Sequence, residues 1–475
     1  MQTFEKNSEP AEHTTNYVNK YVALLIAAMS SFITPFTASS VNIALPSIDR
    51  ELLLNALELS WVATAYLLAA AIFLVPFGRI SDILGRKKIF LFGMMIDAGA
   101  SLMCAISNSG AWLITFRAMQ GLGGAMIFGT GIAILTSVFP AKERGRALGI
   151  NVAAVYSGLS MGPLIGGSLT EHLGWRSIFL LNAFLGLVVV IAVLWKLRAE
   201  WAGARGEKFD YKGALIYSLA LVAIMSGFTM LPDFKGGILI ILGIGGVVAF
   251  AKWELKLEQP IINIGLFKNN IVFRYSNLAA LINYSATFAV AFLLSLYLQF
   301  IKGFTPEHAG MILMIQPFLQ IIFSPIAGSL SDRLEPRVLA SAGMAMTMTG
   351  LIMLAFLGSH TRLIFIMVTL AILGIGFAFF SSPNINAVMS SVEKRFYGVA
   401  SGMLATMRLT GQMFSMGMTL LLFALYIGPV QITPEKYPLF ITCVKMAFTI
   451  SAILCFAGIF ASIARGKTHG DAQNH

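Results

Sequence analysis

The chain has 475 residues; 57% are hydrophobic, only 12% are charged, and the mean hydropathy is +0.79. Soluble domains carry about twice that share of charge, so too little is present to cover a large soluble enzyme, and the apolar content excludes disorder for the bulk of the chain. A net charge of +11 would suit nucleic acid in a soluble protein; here its distribution along the chain decides.

The apolar residues fall in runs that match the roughly 20 residues of a membrane-crossing helix. Fourteen spans are read, at 21–45, 60–78, 89–107, 111–138, 146–169, 177–195, 212–231, 236–253, 273–299, 306–328, 337–358, 361–387, 398–426 and 439–463. The predicted class is an all-α polytopic membrane protein. The first 20 residues are polar and partly acidic, unlike a cleavable signal peptide. Cys104, Cys443 and Cys455 lie in apolar runs and offer neither a disulfide framework nor a metal spacing.

With the N-terminus placed in the cytoplasm, 24 of the 33 Lys and Arg residues fall in inner segments, 6 in outer loops and 3 within spans. This obeys the positive-inside rule and puts both termini in the cytoplasm. GRISDILGRKK at 78–88 and GSLSDRLEPR at 328–337 each place Gly-x-x-x-Asp in a basic loop after an apolar span. Such a repeat is how many secondary transporters are built. The expected organisation is a tail at 1–20, a six-helix bundle at 21–196, a linker with two additional spans at 197–272, a second six-helix bundle at 273–464 and a tail at 465–475.

Within the first loop, Gly78 permits a tight helix exit and Asp82 can cap a turn or bind arginine. Arg86, Lys87 and Lys88 read either as headgroup anchors or as part of a latch between helices. Arg117 in span four must find a partner or a watery cavity, and Gln120 lies one turn on, on the same face. Gly158, Gly162, Gly166 and Gly167 stripe span five, and Pro163 bends it; this is a packing seam or a gating seam. Asp97 is the one carboxylate well inside a predicted span. It reads as a proton carrier or as a helix-contact hydrogen-bond partner. Asn42, Tyr66, Asn182, Asn283, Tyr284, Gln316, Gln320, Asn384 and Asn386 could line a route or bond between helices, and Arg408 could face the cavity or an inner-side acid. Lys445 is expected to snorkel to the surface. No phosphate-binding Gly-rich loop occurs, and the six histidines are scattered outside the span cores. No cofactor, metal or nucleic acid is expected, and no enzymatic activity.

These segments resemble the major facilitator superfamily, in particular its 14-span drug:proton antiporters. The resemblance rests on Gly78, Asp82, Gly85, Arg86, Lys87 and Lys88; on Arg117, Gln120, Gly121 and Gly123; on Gly158, Gly162, Pro163, Gly166 and Gly167; and on WRSIFLLN at 175–182 and SLYLQFIKGFTPEHAG at 295–310. It implies two bundles rocking around a central site, with Gly328 and Asp332 as the second loop motif. It also implies contacts of the first loop with Glu143, Arg144 and Arg146, and proton coupling assisted by Arg117. The first span departs from the family pattern: Asn42, Ala44, Leu45 and Pro46 match, but Thr37 stands where the family carries an Asp. Asp97 is a candidate replacement, and a neutral, zwitterionic or anionic substrate gains weight from the charge balance.

The expected function is export of small amphiphilic compounds or drugs by proton antiport and alternating access, by a monomer in a bacterial or archaeal cytoplasmic membrane. Alternatives are export of an endogenous lipid, sugar or anionic metabolite, uniport, and a non-transporting receptor or scaffold. Besides substrate, the expected partners are protons and membrane lipids.

Overall fold

The computed structural model describes residues 20–140, 143–197, 199–257, 260–261, 270–331, 333–392 and 397–466. Asp332 and most of both terminal tails lie outside these residues. Among the described residues the regular structure is helical, with no strand. Fourteen helices are long and apolar enough to cross a membrane. They are α1 (Lys20–Leu52), α2 (Ala56–Leu84), α3 (Arg86–Ala105), α4 (Gly110–Val138), α5 (Arg144–Leu173), α6 (Arg176–Lys196) and α7 (Tyr211–Met230). They continue with α8 (Phe234–Glu254), α9 (Ile271–Ile301), α10 (Pro306–Ser331), α11 (Pro336–Ala355), α12 (Leu363–Ser390), α13 (Tyr397–Tyr426) and α14 (Tyr437–Ala464).

The helix ends are set by local chemistry. Asn55 and Glu58 form a reciprocal capping box at α2. Ser109 caps α4, and Thr305 followed by Pro306 starts α10. Large apolar side chains such as Phe184, Ile241 and Ile453 point outward, as lipid-facing positions require.

The packing repeats. In the first half α1 packs on α5, α2 on α4, and α3 on both α4 and α6. In the second half α9 packs on α13, α10 on α12, and α11 on both α12 and α14. The same pattern of pairings thus occurs in both parts of the chain. The inserted α7 and α8 pack on each other, and α7 also contacts α2 of the first half and α13 of the second. The Tyr217 hydroxyl donates to the Ala71 carbonyl at 3.2 Å, and the Phe228 and Phe414 rings meet edge to face.

Helix α1 runs to Leu52, past both Pro35 and Pro46, whereas the predicted span stopped at residue 45. Proline lacks the N–H that would bond four residues back, so Pro46 frees the carbonyl of Asn42. Ser295 of α9 donates its hydroxyl to that carbonyl at 2.7 Å, and the Gln299 amide donates to the Ile43 carbonyl at 2.9 Å. A neighbouring helix satisfies the gap, as it does for prolines within membranes. Here the neighbour belongs to the other half.

Candidate functional site

The two halves touch at the end that carries the α1–α2, α5–α6 and α9–α10 turns. Beyond the α1–α9 bonds, Ala56 N–H donates to the Val430 carbonyl at 2.9 Å, and Glu307 N–H donates to the Glu171 carboxylate at 3.0 Å. Helix α5 seals this end from the middle outward. A Cβ on Gly310 of α10 would collide with the Pro163 carbonyl, and one on Gly167 would come within 2.5 Å of the Pro306 carbonyl. Only glycines permit this approach. The glycine stripe therefore divides: Gly158, Gly162 and Gly166 press on Phe32, Phe36, Ser39 and Ser40 of α1, while Gly167 faces the second half.

Beneath the seal lies a central cavity of about 180 Å³. Of the polar residues singled out in the sequence, Asn42, Tyr66, Tyr284, Gln316, Gln320 and Arg408 line it. Thr34, Ser39, Phe128, Tyr156, Phe377 and Gln412 join them; the sequence alone did not single these out as lining residues. Thr37, Gln120, Asn182, Asn283, Asn384 and Asn386 do not line it. Asn384 donates to the Ser276 carbonyl and Asn386 to the Ser331 hydroxyl, both between helices of the second half. Phe128 also borders a second cavity of about 540 Å³ near the basic loops. That cavity is lined by α2, α4 and α13 together with Glu207, Pro260 and Ile261 of the connecting segments, so space lies between the halves toward the basic end, opposite the seal.

Neither Asp97 nor Arg117 lines the cavity; each is 2% exposed within the first bundle. They belong to one hydrogen-bonded network drawn from α1, α2, α3, α4 and α6. The Asn182 amide donates to the Asp97 carboxylate at 3.0 Å and to the Ser101 hydroxyl at 2.6 Å. Gln120 donates to Ser101 at 2.8 Å and accepts from Arg117. Arg117 also donates Nε–H to the Val62 carbonyl at 3.0 Å and sits 4.7 Å over the Tyr66 ring. Thr37 donates to the Asn182 carbonyl oxygen. The position where the family carries its carboxylate is therefore one amide away from Asp97. Ser101 was missed in the sequence, although it lies one turn after Asp97 on the same face.

The loop after α2 finds partners other than those expected. Arg86 pairs with Asp82 at 2.7 Å and donates to the Ala133 carbonyl and the Ser137 hydroxyl of α4. The α6–α7 linker wraps over it: the Glu200 carboxylate accepts from the backbone N–H groups of Lys87 and Lys88, and Glu207 pairs with Arg79. Gly85, at φ +120°, would drive a Cβ to 2.5 Å from the Glu200 carboxyl carbon. Glu143 instead pairs with Lys20, and Arg144 bonds the Phe139 carbonyl. Neither they nor Arg146 joins the cluster among the described residues.

The family model described as Major Facilitator Superfamily matches residues 27–416, and again 276–474. The chain belongs to this superfamily. Its members transport small molecules across membranes, so the protein is a multi-pass membrane transporter and not an enzyme. It is 30% identical to the riboflavin transporter RibZ of Clostridioides difficile over 94% of this chain and 97% of the relative. It is 31% identical to the multidrug resistance protein Stp of Mycobacterium tuberculosis over 82% of this chain and 73% of the relative. The fold matches a bacterial homolog of the human lysosomal transporter Spinster, crystallised inward-facing and unoccupied. That match has a TM-score of 0.69 at 16% identity and covers 94% of this chain and 97% of that one.

Proposed function

We propose that the protein exports small amphiphilic compounds by exchanging them for protons, with its basic end in the cytoplasm of a bacterial or archaeal cell. In that orientation the structure is the inward-open state, ready to load substrate. The observation that carries this reading is the position of Tyr66. Tyr66 lines the cavity, and its ring also carries Arg117, at the end of the network that holds Asp97. A substrate that moves Tyr66 reaches Asp97 through Arg117, Gln120, Ser101 and Asn182. Asp97 forms no ion pair among the described residues, so it can take up or release a proton without breaking one. Proton and substrate thereby bias the same bundle, which is what linkage between two sites requires.

The test is flux in proteoliposomes with and without a pH gradient. The gradient should accelerate wild-type transport, and Asp97→Asn should lose that acceleration while retaining substrate exchange. Wild-type flux indifferent to the gradient would overturn antiport. A second reading, transport of a flavin, is favoured by the likeness to the riboflavin transporter over nearly the full chain and by a cavity walled with aromatic rings. Riboflavin flux in the same vesicles decides it.

A further inference from the structure

Among the described residues, one charged side chain lines the central cavity. It belongs to Arg408, and among the described residues no Asp or Glu lines the cavity. Arg408 forms no ion pair among the described residues. Its Nε–H is buried without an acceptor, although a guanidinium carries five donors and a buried donor left unmade is costly. The group is held over the Phe128 ring, 5.7 Å from its centre. Around it stand Tyr66, Tyr156, Tyr284, Phe288 and Phe377, and Tyr284 and Phe377 meet edge to face at 5.4 Å. Arg117, a buried cation of the first half, packs against Tyr66 outside the cavity and already has acceptors.

A cation entering this space meets a like charge and no carboxylate to offset it. An anion meets a guanidinium that no carboxylate neutralises among the described residues, the group best suited to bidentate binding of carboxylate or phosphate. The rings supply flat apolar faces for the rest of the molecule. We infer that the central cavity selects planar aromatic anions and that Arg408 anchors their charge. This rests on the central cavity being the transport site; it adds the charge and shape of what the cavity takes.

The test uses two xanthene dyes with one ring framework and opposite charge, anionic fluorescein and cationic rhodamine 123. Their equilibrium binding to the purified full-length chain in detergent is followed by fluorescence anisotropy. Fluorescein should bind at least about tenfold more tightly, the scale on which like-charge contact discriminates. Arg408→Gln should abolish the preference and Arg408→Lys should keep most of it. Gln412→Glu retains Arg408 and adds a carboxylate one helical turn away in the same cavity; it should shift the preference toward rhodamine 123. Equal or tighter binding of rhodamine 123 to the wild type overturns the inference. So does saturable binding of neither dye, or a preference that both Arg408→Gln and Gln412→Glu leave unchanged. No gradient is present in this assay. Loss of gradient-driven flux with dye selection intact would therefore overturn antiport alone.

Discussion

At the scale of single residues, the network behind Tyr66 decides two outcomes that separate stability from coupling. Removing Arg117 leaves the Gln120 and Val62 carbonyl oxygens buried without their donor. Unmet buried groups cost about 1–3 kcal/mol each, so Arg117→Ala is expected to destabilise the protein by about 3 kcal/mol, visible as a lower thermal unfolding midpoint. Arg117→Lys recovers little, because an ammonium cannot reproduce the guanidinium fork. Asn182→Leu cuts the link between Asp97 and Thr37 while keeping the volume filled. It should reduce pH-driven flux far more than flux down a substrate gradient, measured in the same vesicles. Asp97, Arg117 and Gln120 stood out in the sequence because charge and amide groups are rare in hydrocarbon. Their separation from the cavity was not legible. Arg117 turns inward to Val62 and Gln120, and that choice depends on the neighbouring α2, which spacing along α4 does not encode.

At the scale of elements, two glycines of one helix are expected to behave differently. Gly166 packs against Ser40 within the first half, where a Cβ would come within 2.6 Å of the Ser40 Cβ. Gly166→Ala therefore strains a bundle interior, at about 1–3 kcal/mol, and lowers the unfolding midpoint. Gly167 abuts Pro306 across the seam. Gly167→Ala should leave the bundles intact and wedge the closed end apart, so that a cysteine placed at Asn42 reacts faster with a membrane-impermeant thiol reagent added outside. The linker offers the opposite lever. Glu200 caps the first turn of α3 with its carboxylate, and charged caps contribute about 1 kcal/mol. Glu200→Gln should weaken the clamp on the α2–α3 loop and raise the population closed at the basic end, read as slower labelling of a cysteine at Thr406. The spans were visible as apolar runs. The linker's contact with the loop was not, because Glu200 and Glu207 lie more than a hundred residues from their partners in a stretch with no periodicity.

At the scale of the whole molecule, the repeated packing leaves two halves that meet along α1–α9, α5–α10 and α2–α13. Helix α7 touches both halves at the last of these seams, so the insert bridges the halves and does not simply anchor the chain in lipid. The charge carried per cycle follows from what the halves hold. If a proton enters at Asp97 while a monovalent anion leaves from beside Arg408, the equivalent of two positive charges moves inward. Each charge is worth about 2.3 kcal/mol per 100 mV, so the membrane potential adds to the pH gradient. An inside-negative potential set with potassium and valinomycin should then accelerate fluorescein extrusion from right-side-out vesicles at constant pH. Under one-for-one antiport, rhodamine 123 carried by Gln412→Glu exchanges one positive charge for another, so its flux should not respond to the same potential. A fluorescein flux indifferent to potential would mean that the proton and the anion do not travel in opposite directions.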